Sequence, residues 1–107
     1  MGIDIGKKRC RAAMMDRQGI ILDEFTFTND HDGIENLASR LTMDDKVVME
    51  STGSVWTNLY GHLESAHISA VLANPLKTKA IASARIKSDE IDARILAHLL
   101  RADLIPP

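Results

Sequence analysis

Four carboxylates in this sequence stand where they could bind metal ions. Asp4 interrupts an apolar segment between two isoleucines, where a buried and unpaired carboxylate would be costly. The other three end an apolar run or open a helix-like segment: Glu50, Asp89 and Asp92. Clustered acids raise one another's pKa unless a cation compensates them, and all-oxygen ligand sets suit hard cations such as Mg²⁺ or Mn²⁺. Two such ions about 4 Å apart hold the attacking and leaving oxygens in phosphoryl transfer, which is the chemistry that these acids indicate.

Each acid also has a purely structural explanation. Asp4 could lie on a solvent-exposed strand face, and Glu50 at a solvated strand end. Asp89 and Asp92 are three residues apart, which places them on one helical face, where acids in a first turn complement the helix dipole. The candidate nucleophiles have no base partner visible in the sequence: Ser51, Thr52 and Cys10. Metal binding by the four acids together is therefore favoured over nucleophilic catalysis by any of these three.

A segment rich in basic residues lies between Asn74 and Lys87 and contains no acid. Its cations are Lys77, Lys79, Arg85 and Lys87. Phosphates of nucleic acids are natural partners for such a segment, and the alternative is a solvated helix face. We expect these four residues to contact nucleic acid.

The elements that must position these residues follow from apolar periodicity and turn residues. Five strands are predicted, at residues 2–6, 9–15, 20–28, 46–50 and 67–73. The first three form a meander and the later two are joined through helices. This order predicts an α/β fold with a mixed five-stranded sheet, three antiparallel strands and then two parallel ones, with helices on the faces. Ligand sites gather at the carboxyl ends of parallel strands, so Asp4 and Glu50 should meet there, with the helix of Asp89 and Asp92 across that end.

Four helices are predicted from capping residues and helical spacing. Residues 29–32 would cap the first, residues 51–54 would cap the second, the third follows Pro75, and Ser88 would begin the last. The apolar positions of the first helix are Ile34, Leu37, Ala38 and Leu41.

Composition narrows the class of protein further. The chain has 107 residues, 45% of them hydrophobic, with a net charge of -2, which predicts one folded domain. No apolar stretch approaches the roughly 20 residues of a membrane span, and no secretory signal is present. The single cysteine, Cys10, excludes an internal disulfide and is compatible with a reducing cytoplasm. Four aromatic residues are too few for a base-stacking surface.

Four motifs together resemble a known family. They are Gly2–Lys7, Met49–Gly53, Asn74-Pro75 with following lysines, and Lys87–Ala93. This ordered set resembles the N-terminal domain of IS110-family transposases, the DEDD transposases with a RuvC-like, ribonuclease H-like fold. The resemblance extends over essentially the whole chain, and its most specific part is the Lys-Ser-Asp-x-x-Asp-Ala motif.

The resemblance implies a function and a set of partners. Asp4, Glu50, Asp89 and Asp92 match the family's metal-binding tetrad, which implies Mg²⁺ or Mn²⁺ and cleavage and transfer of DNA strands. It also implies a DNA substrate, assembly into homo-oligomers and an element-encoded guide RNA. Family members continue into a C-terminal domain with a serine proposed as nucleophile. Residues 1–107 would then be the RuvC-like domain alone, which we expect not to perform strand transfer by itself.

Two other interpretations fit parts of the sequence. Asp4-Ile5-Gly6, followed by a hairpin with a turn at 16–19, imitates the first phosphate loop of actin-like and sugar-kinase ATPases. There Asp4 would orient magnesium-ATP, but no second glycine-rich phosphate motif follows. The other alternative is a non-catalytic interaction domain with the same fold. Binding of two divalent ions, of one nucleotide, or of neither distinguishes the three.

Overall fold

The computed structural model describes residues 1–51, 53–86 and 91–105. Its strands are β1 (Gly2–Ile5), β2 (Arg9–Met15), β3 (Ile21–Thr28), β4 (Lys46–Ser51) and β5 (Ser69–Leu72). Its helices are α1 (His31–Ala38), α2 (Thr57–Ser65), α3 (Pro75–Ile81) and α4 (Ala93–Arg101), with a π-helical segment at Ala82–Ile86 after α3. The predicted order of strands and helices is confirmed.

The five strands form one sheet in the order β3-β2-β1-β4-β5. β1, β2 and β3 pair antiparallel, whereas β1 pairs parallel with β4, and β4 parallel with β5. This is the mixed arrangement that the sequence predicts. The carboxyl ends of β1, β4 and β5 therefore lie along one edge of the sheet, which we call the carboxyl edge. Among the described residues, no helix has the length and apolar character needed to cross a bilayer.

Helices cover both faces of the sheet. Ile3 of β1 is fully buried in one core with Leu37 of α1 and Leu59 of α2. Val48 of β4 is fully buried in a second core with Leu96 of α4. Side chains alternate between the two faces of a strand, so α1 and α2 lie on one face and α4 on the other.

Two helix predictions are wrong at their boundaries. α1 ends at Ala38, and Leu41 is buried only after the helix has ended. Ser51, Gly53 and Ser54 do not cap α2, because β4 includes Ser51 and the chain turns over residues 53–56 before the helix begins; Thr52, in the same predicted cap, lies outside the described residues. α2 starts at Thr57, and Trp56 before it makes no side-chain capping hydrogen bond.

The last strand and the last helix also differ from prediction. β5 has four residues, Ser69–Leu72, fewer than the predicted 67–73, and its place at the sheet edge leaves Val71 and Leu72 exposed. Ser88, predicted to begin the last helix, lies outside the described residues. α4 begins at Ala93, so Asp92 is its N-cap and not a residue on a helical face.

Candidate metal centre

Asp4 and Glu50 are register partners in the parallel pairing of β1 with β4. Each is the last residue but one of its strand, at the carboxyl edge. Ile3, the neighbour of Asp4, points into the core under α1 and α2, so strand alternation directs Asp4 to the opposite face. Glu50 shares that face because parallel register partners point the same way. The sheet itself therefore places two carboxylates side by side on the face that α4 covers.

Asp92 is brought toward these acids by the packing of α4 on β1. Gly2 lies directly under the helix, and a methyl group there would overlap the Ala93 carbonyl oxygen and the Ala97 amide nitrogen. The missing side chain lets the first turn of α4 lie against the strand, with Asp92 just before it. The Oδ1 atom of Asp92 accepts a hydrogen bond of 2.9 Å from the Ile95 amide. One oxygen thus caps the helix, and no hydrogen bond occupies the other among the described residues.

The three acids influence one another electrostatically. Partial burial raises the pKa of Asp4 above its ordinary value, and the negative charge of Asp92 raises it further. Burial also raises the pKa of Glu50, with a second contribution from Asp4. Both effects disfavour the charged form, so each carboxyl group is harder to ionise than it would be in water. A cation placed between these side chains would reverse this penalty.

No protein cation compensates these acids within the described ranges. Arg11 is the register partner of Asp4 on the other side of β1, but its guanidinium lies 3.8 Å from Glu24 and donates to the Thr26 hydroxyl instead. No Lys, Arg or His nitrogen of residues 1–51, 53–86 or 91–105 lies within 4.0 Å of the carboxylates of the three acids. The Oε2 atom of Glu50 is buried and has no hydrogen-bond partner there either. Carboxylate oxygens that lack a hydrogen-bond partner and repel one another are suitable ligands for a divalent metal ion.

The acids are more widely spaced than a preformed chelating group. In the part of the chain that the structure describes, one set of three ligand atoms lies within 4.8 Å of one another, and it belongs to His31, Asp32 and Glu35. These side chains are exposed at the start of α1, away from the sheet face of Asp4. Asp4, Glu50 and Asp92 are therefore neighbours that a metal ion would have to draw together.

The remaining predicted site residues are not part of the group formed by Asp4, Glu50 and Asp92, or they lie outside the described residues. Asp89 and Lys87 are outside the described residues. Lys77 and Lys79 of α3 are exposed, as is Arg85 in the π-helical segment. α3 begins directly after β5, so it leaves the sheet from the carboxyl edge.

Asn29 has a structural role that sequence reasoning did not identify. Its side-chain amide donates to the Gly6 carbonyl at 2.9 Å and to the Val55 carbonyl at 3.1 Å. These carbonyls belong to the loops that leave the carboxyl ends of β1 and β4, the strands of Asp4 and Glu50. Asn29 therefore joins the two loops that follow the strands of Asp4 and Glu50. Local sequence carries no signal for it, because the partners are 23 and 26 residues away.

Comparison with known proteins identifies one family. The sequence model of a transposase family, the DEDD transposases of the IS110 type, matches residues 1–106. The strand order and the mixed sheet agree with the ribonuclease H-like fold expected for that family. A search of curated proteins gives no significant match.

Proposed function

The chain belongs to the IS110 family of DEDD transposases, and from this membership we propose that its acids form a divalent-metal site for DNA strand cleavage and transfer. The observation that carries the proposal is the register pairing of Asp4 with Glu50, whose Oε2 atom is buried without a partner among the described residues. The match also favours this function over the actin-like ATPase alternative.

Asp4, Glu50, Asp89 and Asp92 are the proposed ligands of Mg²⁺ or Mn²⁺. When bound, these ions would polarise a phosphate and activate an attacking oxygen. Asp4 and Glu50 contribute two carboxylates fixed by the sheet. Asp92 contributes the oxygen that does not cap α4. The raised pKa values of Asp4 and Glu50 support the proposal, because a metal ion would relieve the repulsion that causes part of them.

Nucleic-acid contact by the segment after β5 is part of the proposal. Lys77, Lys79 and Arg85 are exposed, and none has a carboxylate within 4.0 Å among the described residues. They could therefore contact phosphates directly. Lys87 follows the same segment in the sequence and is assigned the same role.

Strand transfer is proposed to need more than residues 1–107. The family resemblance implies a serine-bearing C-terminal domain, homo-oligomers and a guide RNA. Residues 1–107 would then organise metal and phosphate but leave the recombination nucleophile to that domain. Weak metal-dependent nicking is compatible with this division, since water can attack at a two-metal site.

The direct test is Mn²⁺ binding to the 107-residue chain, measured by titration calorimetry. Asp4→Asn and Glu50→Gln should each weaken binding by about tenfold or more, since even outer-shell changes at metal sites cost that much. Glu64→Gln removes an exposed carboxylate from α2 and serves as the control. Unchanged Mn²⁺ binding in the doubly substituted Asp4→Asn, Glu50→Gln chain would overturn the proposed site.

A further inference from the structure

Three consecutive cations lie where β1 turns into β2: Lys7 and Lys8 in the turn and Arg9 as the first residue of β2, which together we call the hairpin tip. All three are exposed. Within the described ranges none has a carboxylate within 4.0 Å, whereas Arg40 and Arg94 are each paired with an acid of β3. The hairpin tip therefore presents positive charge that the described part of the protein does not neutralise.

The hairpin tip lies beside the proposed metal ligands. It begins three residues after Asp4, at the carboxyl edge where Glu50 also lies. Cys10 is buried in the core under α1 and α2, so strand alternation turns Arg9 to the other face, the face of Asp4. A polyanion bound at the acids would pass next to these cations.

Hydrogen bonds hold the hairpin tip in one conformation. The Gly6 amide donates to the Arg9 carbonyl at 3.0 Å, and a methyl group at Gly6 would overlap that oxygen. The Asn29 amide donates to the Lys8 carbonyl at 2.9 Å, and the Asn29 side chain donates to the Gly6 carbonyl. A surface held in this way loses little backbone freedom when it binds a ligand.

Resting on the proposed function, we propose that the hairpin tip binds the phosphate backbone of the DNA strand that enters the acidic site. The acids without metal repel phosphate, and exposed cations close to them would offset this repulsion as the DNA approaches. Three adjacent cations on a fixed turn can contact the backbone without reading its sequence. This contact would be separate from the basic residues of α3.

The test compares two doubly neutralised variants of the 107-residue chain. Lys8→Gln with Arg9→Gln removes two charges from the hairpin tip. Arg17→Gln with Lys46→Gln removes two exposed charges at the opposite end of the sheet and is the matched control. Affinity for a fluorescent DNA duplex is measured by anisotropy at several KCl concentrations. The slope of log affinity against log salt should fall by about two for the hairpin variant and stay unchanged for the control.

Three outcomes would overturn the inference: an unchanged slope in the hairpin variant, an equal decrease in the control, or no salt-dependent DNA binding by the unsubstituted chain. Thermal melting checks that each variant folds. Mn²⁺ titration without DNA separates this inference from the proposed function. Metal affinity should be unchanged in the hairpin variant, whereas Asp4→Asn should lose metal affinity and keep the salt slope. Metal binding that survives Asp4→Asn counts against the proposed function alone.

Discussion

Asp4 and Glu50 lie side by side because backbone hydrogen bonds of a parallel strand pair hold them in register. Neighbouring strands are about 4.8 Å apart, so the separation of their backbones is set by the sheet and not by side-chain packing. Asp92 comes from a helix start that packs on the sheet through Gly2. The sheet therefore positions the backbones of Asp4 and Glu50, whereas the position of Asp92 depends on the contact of α4 with Gly2.

The first prediction concerns pH and Asp4. Because the pKa of Asp4 is raised in the folded state, the folded chain keeps this proton to higher pH than the unfolded chain. Its contribution to stability is therefore complete below the ordinary value of 3.8 and is lost as pH rises through the raised pKa. In metal-free buffer, Asp4→Asn should raise the Tm at pH 7 and change it little near pH 3, as measured by thermal melting.

Bound Mn²⁺ should reverse the order of the two Tm values at pH 7, so that the unsubstituted chain melts at a higher temperature than Asp4→Asn. Mn²⁺ at a hundred times its Kd stabilises a folded protein by about 2.7 kcal/mol, and a variant that binds tenfold more weakly should gain only about half of this at the same Mn²⁺ concentration. A Tm for Asp4→Asn below that of the unsubstituted chain at pH 7 without metal would contradict the prediction.

The second prediction separates the two roles of Asp92. Asp92→Ala should lower the free energy of unfolding by about 0.5–2 kcal/mol, because the Ile95 amide loses its cap, and should also weaken Mn²⁺ binding. Asp92→Asn retains an oxygen that can cap and should lose only metal affinity. Urea unfolding and Mn²⁺ titration measure the two effects.

Asp30 provides the control for the Asp92 substitutions. It caps α1 by accepting from the Gly33 amide at 2.8 Å, on a helix that packs on the opposite face of the sheet. Asp30→Ala should cost a similar free energy of unfolding and leave Mn²⁺ affinity unchanged. Equal loss of metal binding in Asp30→Ala and Asp92→Ala would show that stability alone accounts for the effect.

The third prediction concerns the contact of Gly2 with α4. Gly2→Ala should destabilise the chain by about 1–3 kcal/mol, because the added methyl group overlaps backbone atoms of Ala93 and Ala97. It should also weaken Mn²⁺ binding, since Asp92 moves with the helix. Gly61→Ala, on α2 with open space around the position, should instead stabilise by about 0.5–1 kcal/mol. The order of these two variants in urea unfolding checks the contact.

The fourth prediction tests the bridge made by Asn29. Asn29→Ala removes the hydrogen bonds to the Gly6 and Val55 carbonyls and should cost about 1–3 kcal/mol in the free energy of unfolding. Asn36→Ala, at an exposed position of α1, should change stability by less than about 0.5 kcal/mol. Similar urea midpoints for the two variants would mean that the bridge contributes nothing measurable.

Much of the fold could be predicted because local patterns determine it. Alternating apolar residues mark the strands, and the order of elements dictates which strands are parallel. The capping prediction within 29–32 is confirmed by Asp30. The predicted cap of α2 was wrong and β5 is shorter than predicted, because these boundaries depend on how far β4 extends and on which strand lies at the sheet edge. Tertiary hydrogen bonding decides both.

The candidate site was predictable only in part for the same reason. The side-by-side placement of Asp4 and Glu50 follows from the rule that parallel strands end at one edge. The capping role of Asp92 depends on where α4 begins, and the bridge of Asn29 depends on loops distant in sequence. Asp89 lies outside the described residues, so its place in the tetrad stays a prediction.

The packing of Gly2 against Ala93 joins two segments that are far apart in the sequence. During translation, Asp92 is added roughly ninety residues after Asp4. At typical translation rates of about 5–20 residues per second, this interval lasts roughly 4–18 s. Throughout it the nascent chain lacks one of the proposed metal ligands, since Asp92 has not yet been made. The proposed site would therefore assemble only after α4 has been synthesised and has packed on β1.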